Sequence, residues 1–164
     1  MSKIELAEIC RYRTESAPID PSTYISTESM LPNRAGITTA SSVPASGKAR
    51  VFCRGDTLVP NIRPYFKKIW QATDDGCCSA DVLVFEPVSC NPDYLYWLLS
   101  NDTFFDYVVA TSKGTKMPRG DKAAIMHYEF VEIEDEGQDS IALTLNPIRE
   151  LIHINQQTND YLAA

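Results

Sequence analysis

Two short segments of this 164-residue sequence concentrate basic side chains, and such clusters can bind the phosphate groups of a polyanion. Residues 48–68 contain six basic residues against one acid, and residues 113–122 contain four against one. The basic residues are Lys48, Arg50, Arg54, Arg63, Lys67, Lys68, Lys113, Lys116, Arg119 and Lys122. Local patches decide this binding, because exposed charges more than about 8–10 Å apart are screened at physiological salt. Taken singly, either cluster is better interpreted as an ordinary solvated face.

The net charge of −7 is concentrated at one end of the chain. Residues 131–164 contain seven acids and one base, so the first 130 residues carry a net charge of only −1. An acidic protein can therefore still present a basic surface. The segment Tyr65-Phe66-Lys67-Lys68 adds aromatic rings beside cations, which suits a surface that meets a polyanion better than a small-molecule pocket.

Segments that resemble catalytic motifs do not complete them. Asn91-Pro92-Asp93-Tyr94 is similar to the Asn-Pro-Pro-aromatic motif of amino-methylating DNA methyltransferases, but its third residue differs and no glycine-rich cofactor loop precedes it. A helix cap explains this segment better. Gly114-Thr115-Lys116 lacks the order of a phosphate-binding loop, and only two histidines are available for a Ser/His/Asp grouping. We predict no catalytic residues and no cofactor.

The cysteines and histidines do not predict a metal site. The five cysteines have no Cys-x-x-Cys spacing and their number is odd, so we predict reduced thiols, many of them buried. His127 and His153 have no neighbouring ligand residue in the sequence. No apolar run reaches about 18 residues, and acids occupy the positions where a signal peptide has its apolar core. We therefore expect a cytoplasmic globular domain without a membrane span.

The hydrophobic pattern predicts a mixed α/β fold. Strand patterns occupy residues 24–27, 49–53, 57–59, 67–73, 80–85 and 128–133. The segment 80–85 is an almost continuous apolar run, which is typical of a buried strand. Asn91-Pro92 predicts the start of one helix, and a second helix is predicted at 102–110. Residues 33–48 and 112–120 are predicted loops, and long loops often carry function.

The C-terminal residues have the pattern of a helix that packs against another helix. A 4-3-4-3-4-3 spacing relates Ile141, Leu145, Ile148, Ile152, Asn155, Asn159 and Leu162. Asn146-Pro147 predicts that the firm helix begins near residue 147, with any earlier turn a kinked extension. Asparagines at such positions tend to set the register and the number of partners. The pattern allows equally that the helix packs on its own domain.

Three segments together resemble a target recognition domain from the specificity subunits of type I restriction–modification systems. The segments are Gly55–Lys68, with Ile62-Arg63-Pro64-Tyr65 near its end; Gly76–Phe85; and Tyr94–Arg119, which ends in Gly114-Thr115-Lys116-Met117-Pro118-Arg119. Tyr24-Ile25-Ser26-Thr27-Glu28 and the tail from Leu145 are also similar to family segments. The order and spacing of the segments carry the resemblance, which covers nearly the whole chain.

The resemblance implies an α/β (α+β) fold of the DNA methylase specificity, target-recognition-domain type with a C-terminal coiled-coil-type helix. Residues 1–139 would form the recognition domain, and residues 140–164 would begin a spacer or dimerisation helix. The implied function is sequence-specific binding to half of a bipartite double-stranded DNA target. The implied partners are methyltransferase and restriction subunits, which would supply the catalysis. Family members usually carry two recognition domains, so we expect here a half-size subunit that pairs, a truncated product or a remnant.

The predicted DNA-binding residues lie in the basic segments and the two loops. They are Asn33, Arg34, Lys48, Arg63, Lys67, Lys68, Lys113, Thr115, Lys116 and Arg119. Lysines and Arg119 would hold phosphates, which position a protein on DNA, whereas Asn33, Arg34 or Arg119 would reach base edges. Arg63 allows a structural role equally. The seam of the C-terminal helix would join two copies, or two similar chains, so that two recognition domains meet two half-sites.

Two other functions are compatible with the sequence. A truncated protein-interaction module derived from this fold, without DNA affinity, is favoured by the net charge of −7 and the short tail. A DNA-modifying enzyme domain is disfavoured by the missing cofactor loop.

Overall fold

The computed structural model describes residues 2–163, which form ten short strands and four α-helices. The strands are β1 Lys3–Glu5, β2 Cys10–Tyr12, β3 Ser16–Pro18, β4 Tyr24–Ile25, β5 Lys48–Phe52, β6 Thr57–Pro60, β7 Trp70–Gln71, β8 Gly76–Cys78, β9 Val82–Pro87 and β10 Glu129–Val131. The helices are α1 Pro92–Leu99, α2 Asp102–Thr111, α3 Lys122–Met126 and α4 Asp135–Ala163. Within the described residues, no helix is long and apolar enough to cross a membrane.

The strands form two four-stranded sheets and a two-stranded ribbon. The first sheet has the order β2-β9-β6-β7, the second has the order β3-β5-β8-β4, and β1 pairs with β10. The pairs are antiparallel except for β4 with β8. In the first sheet β9 and β6 are the two inner strands, and β2 and β7 are the edge strands.

Strand β9 separates two hydrophobic clusters. Leu83 and Phe85 belong to the larger cluster, which includes the side chains of α1 and α2, whereas Val82 and Val84 belong to the smaller one. Successive side chains of a strand point to opposite faces, so both faces of β9 are buried. Burial on both faces explains why the sequence here is continuously apolar, and the predicted buried strand is confirmed.

The helix starts follow local capping rules. The side chain of Asn91 accepts hydrogen bonds from the backbone of Asp93 and Tyr94, at 2.8 and 3.3 Å, and Pro92 occupies the first helical position. Asn101 caps α2 in the same way through the backbone of Thr103. The predicted starts of both helices are therefore confirmed.

Helix α4 begins at Asp135, so the predicted start near residue 147 is wrong. A proline inside a helix removes one backbone hydrogen bond and costs about 3 kcal/mol. For this reason the local sequence pattern predicted a helix boundary at the proline. Here the turns before Pro147 pack on the domain. Gln138 bonds the backbone of Asn91 and Ile133, both at 2.9 Å, and Ala142 is buried. These tertiary contacts stabilise the helix before Pro147.

Polar contacts continue the attachment of α4 to α1 for one further turn. Asn146 accepts a hydrogen bond from the indole of Trp97 at 2.9 Å and donates one to Asp93 at 2.8 Å. The guanidinium of Arg149 lies 4.6 Å from the ring centre of Tyr96, and it donates a hydrogen bond to Gln71. From Glu150 onward the described side chains of α4 are exposed.

A nearly buried ion pair fixes the position of the turn that precedes β6. The carboxylate of Asp56 accepts hydrogen bonds from Nε and Nη2 of Arg13, at 2.7 and 3.2 Å, and from the backbone of Cys53 at 2.8 Å. Arg13 also lies 3.1 Å from Glu86 of β9. Its side chain is 14% exposed and that of Asp56 is 3% exposed, so water screens the pair weakly. The pair joins the segment after β2 to the turn between β5 and β6.

We expect Asp56→Asn to lower the free energy of unfolding by about 3–5 kcal/mol, because it removes one partner of a buried ion pair. Urea unfolding measures this loss. Asp106→Asn, at an exposed position of α2, is the matched control and should change stability by less than about 0.5 kcal/mol. Equal stability of the two variants would show that the Arg13–Asp56 pair does not hold the sheet together.

Candidate nucleic-acid interface

Backbone hydrogen bonds join the two basic segments of the sequence. Residues 61–68 connect β6 to β7, and residues 112–121 connect α2 to α3. Ile62 and Arg119 form an isolated antiparallel bridge, and the backbone of Arg63 donates to Pro118 at 2.8 Å. The two segments are about 50 residues apart in sequence, so only the fold makes them one surface.

A third segment docks against the first. The backbone of Asn33 donates to Phe66 and that of Arg34 donates to Lys67, both at 2.9 Å. We call residues 33–34, 61–68 and 112–121 together the three-loop surface. It contains the predicted DNA-binding residues apart from Lys48.

The backbone of this surface is strained at four positions. Asn33, Arg34, Arg63 and Lys67 have φ angles of 55°, 61°, 51° and 50°, and they are the non-glycine residues with positive φ within residues 2–163. This left-handed region costs an L residue roughly 1–2 kcal/mol. Arg63 and Lys67 flank a short 3-10 turn, Pro64–Phe66, which reverses the chain. Strained positions of this kind cluster at functional sites, so the surface is a candidate site.

Four cations of the surface are bonded to carboxylates. Lys67 and Arg34 both donate to Oδ1 of Asp102, with 2.7 Å for the lysine. The Nζ of Lys113 lies 2.5 Å from Asp121. Arg119 lies 2.6 Å from Asp81.

Three of these cations lower the pKa of the carboxylates of Asp102 and Asp121. Hydrogen bonds from Lys67 and then Arg34 lower the pKa of Asp102 to about 2. A hydrogen bond from Lys113 is the main cause that lowers the pKa of Asp121. The carboxylates are therefore charged at neutral pH, and their cations face an anion before any ligand arrives.

Two further cations point to solvent. The exposed side chains of Arg63 and Lys116 form no ion pair with any residue in the range 2–163. Lys68 is different, because its ammonium donates to the backbone of Thr27 at 2.8 Å and lies 5.8 Å from the ring centre of Phe66. Burial lowers the pKa of Lys68, so its role as a phosphate ligand is the least supported among these lysines.

Apolar side chains lie exposed among these cations, and the predicted site residues did not include them. Tyr65 is 48% exposed, Phe66 is 39% exposed and Met117 is 45% exposed. The rings of Tyr65 and Phe66 lie 4.8 Å apart between their centres. Bases and sugars offer flat apolar faces to such side chains. For Tyr65 and Phe66, the signal in the sequence was an aromatic pair directly after Arg63-Pro64.

The structure separates Lys48 from the other predicted residues. Lys48 begins β5 and its backbone pairs with Pro18 in the second sheet. No hydrogen bond or ion pair between described residues links its side chain to the three-loop surface. Thr115, in contrast, lies exposed in residues 112–121 between Lys113 and Lys116.

The predicted helix seam divides into two parts. Ile141 packs against the core of its own domain, and Leu145 is half-buried. Further along, Ile148 is 50% exposed and Ile152 is 53% exposed, and the remaining seam residues Asn155, Asn159 and Leu162 are exposed. Only the second part is available to another helix.

Helix α4 also carries an apolar stripe on the side away from the domain, which the seam pattern did not include. This outer stripe consists of Leu143, Pro147, Leu151, Ile154 and Tyr161. Leu143 is 76% exposed and Leu151 is 60% exposed. At 100° per residue these positions lie about 100–180° around the helix from Ala142 and Arg149, which face the domain. Their 4-4-3-7 spacing was the signal in the sequence.

The residue types that often carry catalysis are not assembled into a site. The five cysteines are free, and burial raises the pKa of Cys78 to about 12 and that of Cys90 to about 11, so these thiols stay protonated. His127 lies 2.8 Å from Glu5, and His153 lies 2.9 Å from Gln157. In the part of the chain that the structure describes, no group of three or more His, Cys, Asp and Glu side chains is placed to hold a metal ion.

Comparison by sequence gives no relative, because no protein-family model and no curated protein matches this chain. Comparison by structure finds similar proteins. A structure that describes the assembly and conformational transition of the type I R-M system matches with a TM-score of 0.70 at 17% identity, over 98% of this chain and 45% of that one. The HsdS subunit from Thermoanaerobacter tengcongensis matches with a TM-score of 0.66 at 17% identity, over 98% and 45% of the two chains.

A third match agrees with these two. The type I restriction-modification S subunit from M. genitalium has a TM-score of 0.62 at 17% identity, over 98% of this chain and 44% of that one. The present chain thus spans less than half the length of each of these proteins. The α/β recognition fold with a long C-terminal helix, as the resemblance implied, is confirmed. This chain has the fold of a single target recognition domain from the specificity subunits of type I restriction–modification systems.

Proposed function

We propose that this chain is a sequence-specific DNA-binding subunit with one target recognition domain, residues 1–139, in a type I restriction–modification complex. Methyltransferase and restriction subunits of that complex supply the catalysis. One observation carries the proposal. The three-loop surface brings basic segments from distant parts of the sequence together with exposed aromatic side chains, on the fold of known specificity subunits.

Phosphate contacts provide affinity in this proposal. Arg63 and Lys116 are exposed cations, so they can reach phosphate oxygens without first breaking an ion pair. Such contacts release counterions from DNA and make binding depend on salt, but they carry little sequence information. Tyr65, Phe66 and Met117 lie beside them and add apolar contact with sugars and base edges.

On target DNA, base reading falls to Asn33, Arg34 and Arg119, whereas on other DNA the two arginines contact only phosphates. An asparagine amide matches the edge of adenine, and a guanidinium matches that of guanine, each through two hydrogen bonds. The backbone of Asn33 is held by Phe66 and that of Arg34 by Lys67. The backbone of Arg119 exchanges two hydrogen bonds with Lys113, at 2.8 and 2.9 Å. A fixed backbone limits the conformational entropy that the loops lose on binding.

We expect the double variant Arg63→Ala/Lys116→Ala to bind random duplex DNA more weakly. Its plot of log affinity against log salt should be shallower by about 1.8, because each lost phosphate contact removes about 0.9 from the slope. Fluorescence anisotropy over a series of salt concentrations measures both quantities. Lys3→Ala, in the ribbon of β1 and β10, is the control and should bind like the parent chain.

An unchanged slope in the double variant would contradict the placement of DNA on the three-loop surface. Lys48→Ala in the same assay decides whether the surface extends to β5. Loss of affinity in that variant would support the role predicted from sequence, and unchanged binding would remove Lys48 from the set. Absence of DNA binding at low salt, both by the parent chain and by variants that free its paired cations, would instead favour the protein-interaction module.

We also propose that α4 joins two copies of the chain. The exposed part of the predicted seam and the outer stripe give this helix two apolar stripes, and each can pack against another helix. A two-fold pair would present two recognition domains to the two halves of a bipartite site. Glu150 and Asp160 lie on the exposed part of the helix, so salt should strengthen the pairing by screening like charges.

Paired charge substitutions distinguish the two stripes. Ile148→Asp/Ile152→Asp tests the seam, and Leu151→Asp/Ile154→Asp tests the outer stripe. The variant of the stripe that forms the interface should raise the dimer dissociation constant roughly 100-fold or more, because burial of each side chain contributes about 1.5–3 kcal/mol. Sedimentation equilibrium measures this constant, with Gln157→Asp as the control. A parent chain that stays monomeric at high concentration would contradict the pairing.

A further inference from the structure

The cations of the three-loop surface already have anionic partners within the protein. Arg34 and Lys67 share Asp102, Lys113 is bonded to Asp121, and Arg119 is bonded to Asp81. The three carboxylates come from three different places, namely the first turn of α2, the cap of α3 and the turn before β9. On the basis of the proposed function, we infer that these carboxylates occupy the positions of DNA phosphates and suppress binding to DNA that lacks the target sequence.

These pairs differ from an ion pair that holds the fold together. The side chain of Asp102 is 63% exposed and that of Lys113 is 80% exposed, whereas Asp56 in the pair with Arg13 is 3% exposed. Exposed pairs contribute little to stability, because water solvates both partners when they separate. The carboxylates of Asp102 and Asp81 can therefore be exchanged for phosphate oxygens without loss of the fold, whereas Asp121 also caps α3.

Asp102 has the strongest arrangement of the three. A single oxygen, Oδ1, accepts hydrogen bonds from both Lys67 and Arg34. The Nε of Arg34 donates to the backbone of Ser100 at 2.6 Å, and its guanidinium lies 5.5 Å from the ring centre of Phe105. Arg34 is thus oriented toward the place that Oδ1 occupies. An anion there also faces the positive end of a ten-residue helix.

The position of Oδ1 is therefore suited to a phosphate oxygen as well as to a carboxylate. The lowered pKa of Asp102 keeps its carboxylate charged at every pH at which DNA binding would be measured. A phosphate that approaches Arg34 and Lys67 must displace this charge.

Displacement of the carboxylates affects target and non-target DNA differently. Binding to non-target DNA rests almost entirely on phosphate contacts, so blocked cations reduce it directly. Binding to the target gains base contacts from the same loops, which offset the loss of the internal pairs. The carboxylates therefore lower both affinities, and only target DNA has the base contacts that restore binding at physiological salt.

The test uses isosteric amides, which keep the shape of the side chain and remove its charge. We expect Asp102→Asn to raise the affinity for random duplex DNA roughly tenfold or more at about 0.1 M salt. The slope of log affinity against log salt should steepen by up to about 1.8, since two cations are freed. Asp81→Asn frees Arg119 alone and should steepen the slope by about 0.9. Fluorescence anisotropy with a random-sequence duplex is the measurement.

Asp106→Asn is the matched control, because it removes the same charge from the same helix. Its exposed carboxylate forms no ion pair with the other residues in the range 2–163. Any general effect of net charge appears equally in this control and in Asp102→Asn. Urea unfolding of all variants verifies that each is folded.

The outcomes separate this inference from the proposed function. A parent chain that binds DNA, with Asp102→Asn and Asp81→Asn no different from Asp106→Asn, overturns the inference and leaves the proposed function in place. A parent chain without measurable binding to random duplex DNA, together with binding by the two variants, supports the inference. Absence of binding by every variant down to low salt overturns both.

Discussion

The pairing of β6 with β9 is the constraint on which the rest of the structure depends. Both faces of β9 are buried, so its side chains must fill two hydrophobic clusters at once. The buried pair of Arg13 and Asp56 fixes the entry to β6, because without Arg13 the carboxylate of Asp56 would be a buried charge with no cationic partner. The exit from β6 leads directly into residues 61–68, and the exit from β9 leads into α1. The central strands therefore set where the candidate interface and the attachment of α4 lie.

Ion pairs in this protein serve two purposes, and burial distinguishes them. The pair of Arg13 and Asp56 is shielded from water and joins elements of the sheet. The pairs around Asp81, Asp102 and Asp121 are open to water, so they set the charge of a surface more than they stabilise the fold. This distinction resolves the apparent conflict between a net charge of −7 and a proposed role in DNA binding. The acids are placed partly on α4 and partly as partners of the cations themselves.

Several features followed from the sequence because they depend on neighbouring residues alone. The apolar run at 80–85 predicted a buried strand, and Asn91-Pro92 predicted the start of α1 through capping. The order of three segments indicated the recognition-domain fold, which the structural matches confirm. Strands β1, β2, β3 and β8 have three residues each and were not predicted, whereas the equally short β10 lies within a longer alternating segment, 128–133. The roles of individual DNA-binding residues are still predictions.

The sequence by itself determined which residues carry charge, where the chain turns and which segments are apolar enough to be buried. Only the tertiary structure decided which of these residues meet. It placed Arg63 beside Pro118 and Asn33 beside Phe66. It placed Lys48 in the second sheet, outside the three-loop surface. It carried α4 through Pro147, because contacts of Gln138 and Ala142 with the domain offset the cost of the proline. The physical reason is common to these cases. Contacts between residues far apart in the chain form only when the strands pair and the core packs, and a local sequence pattern does not predict which distant residues meet.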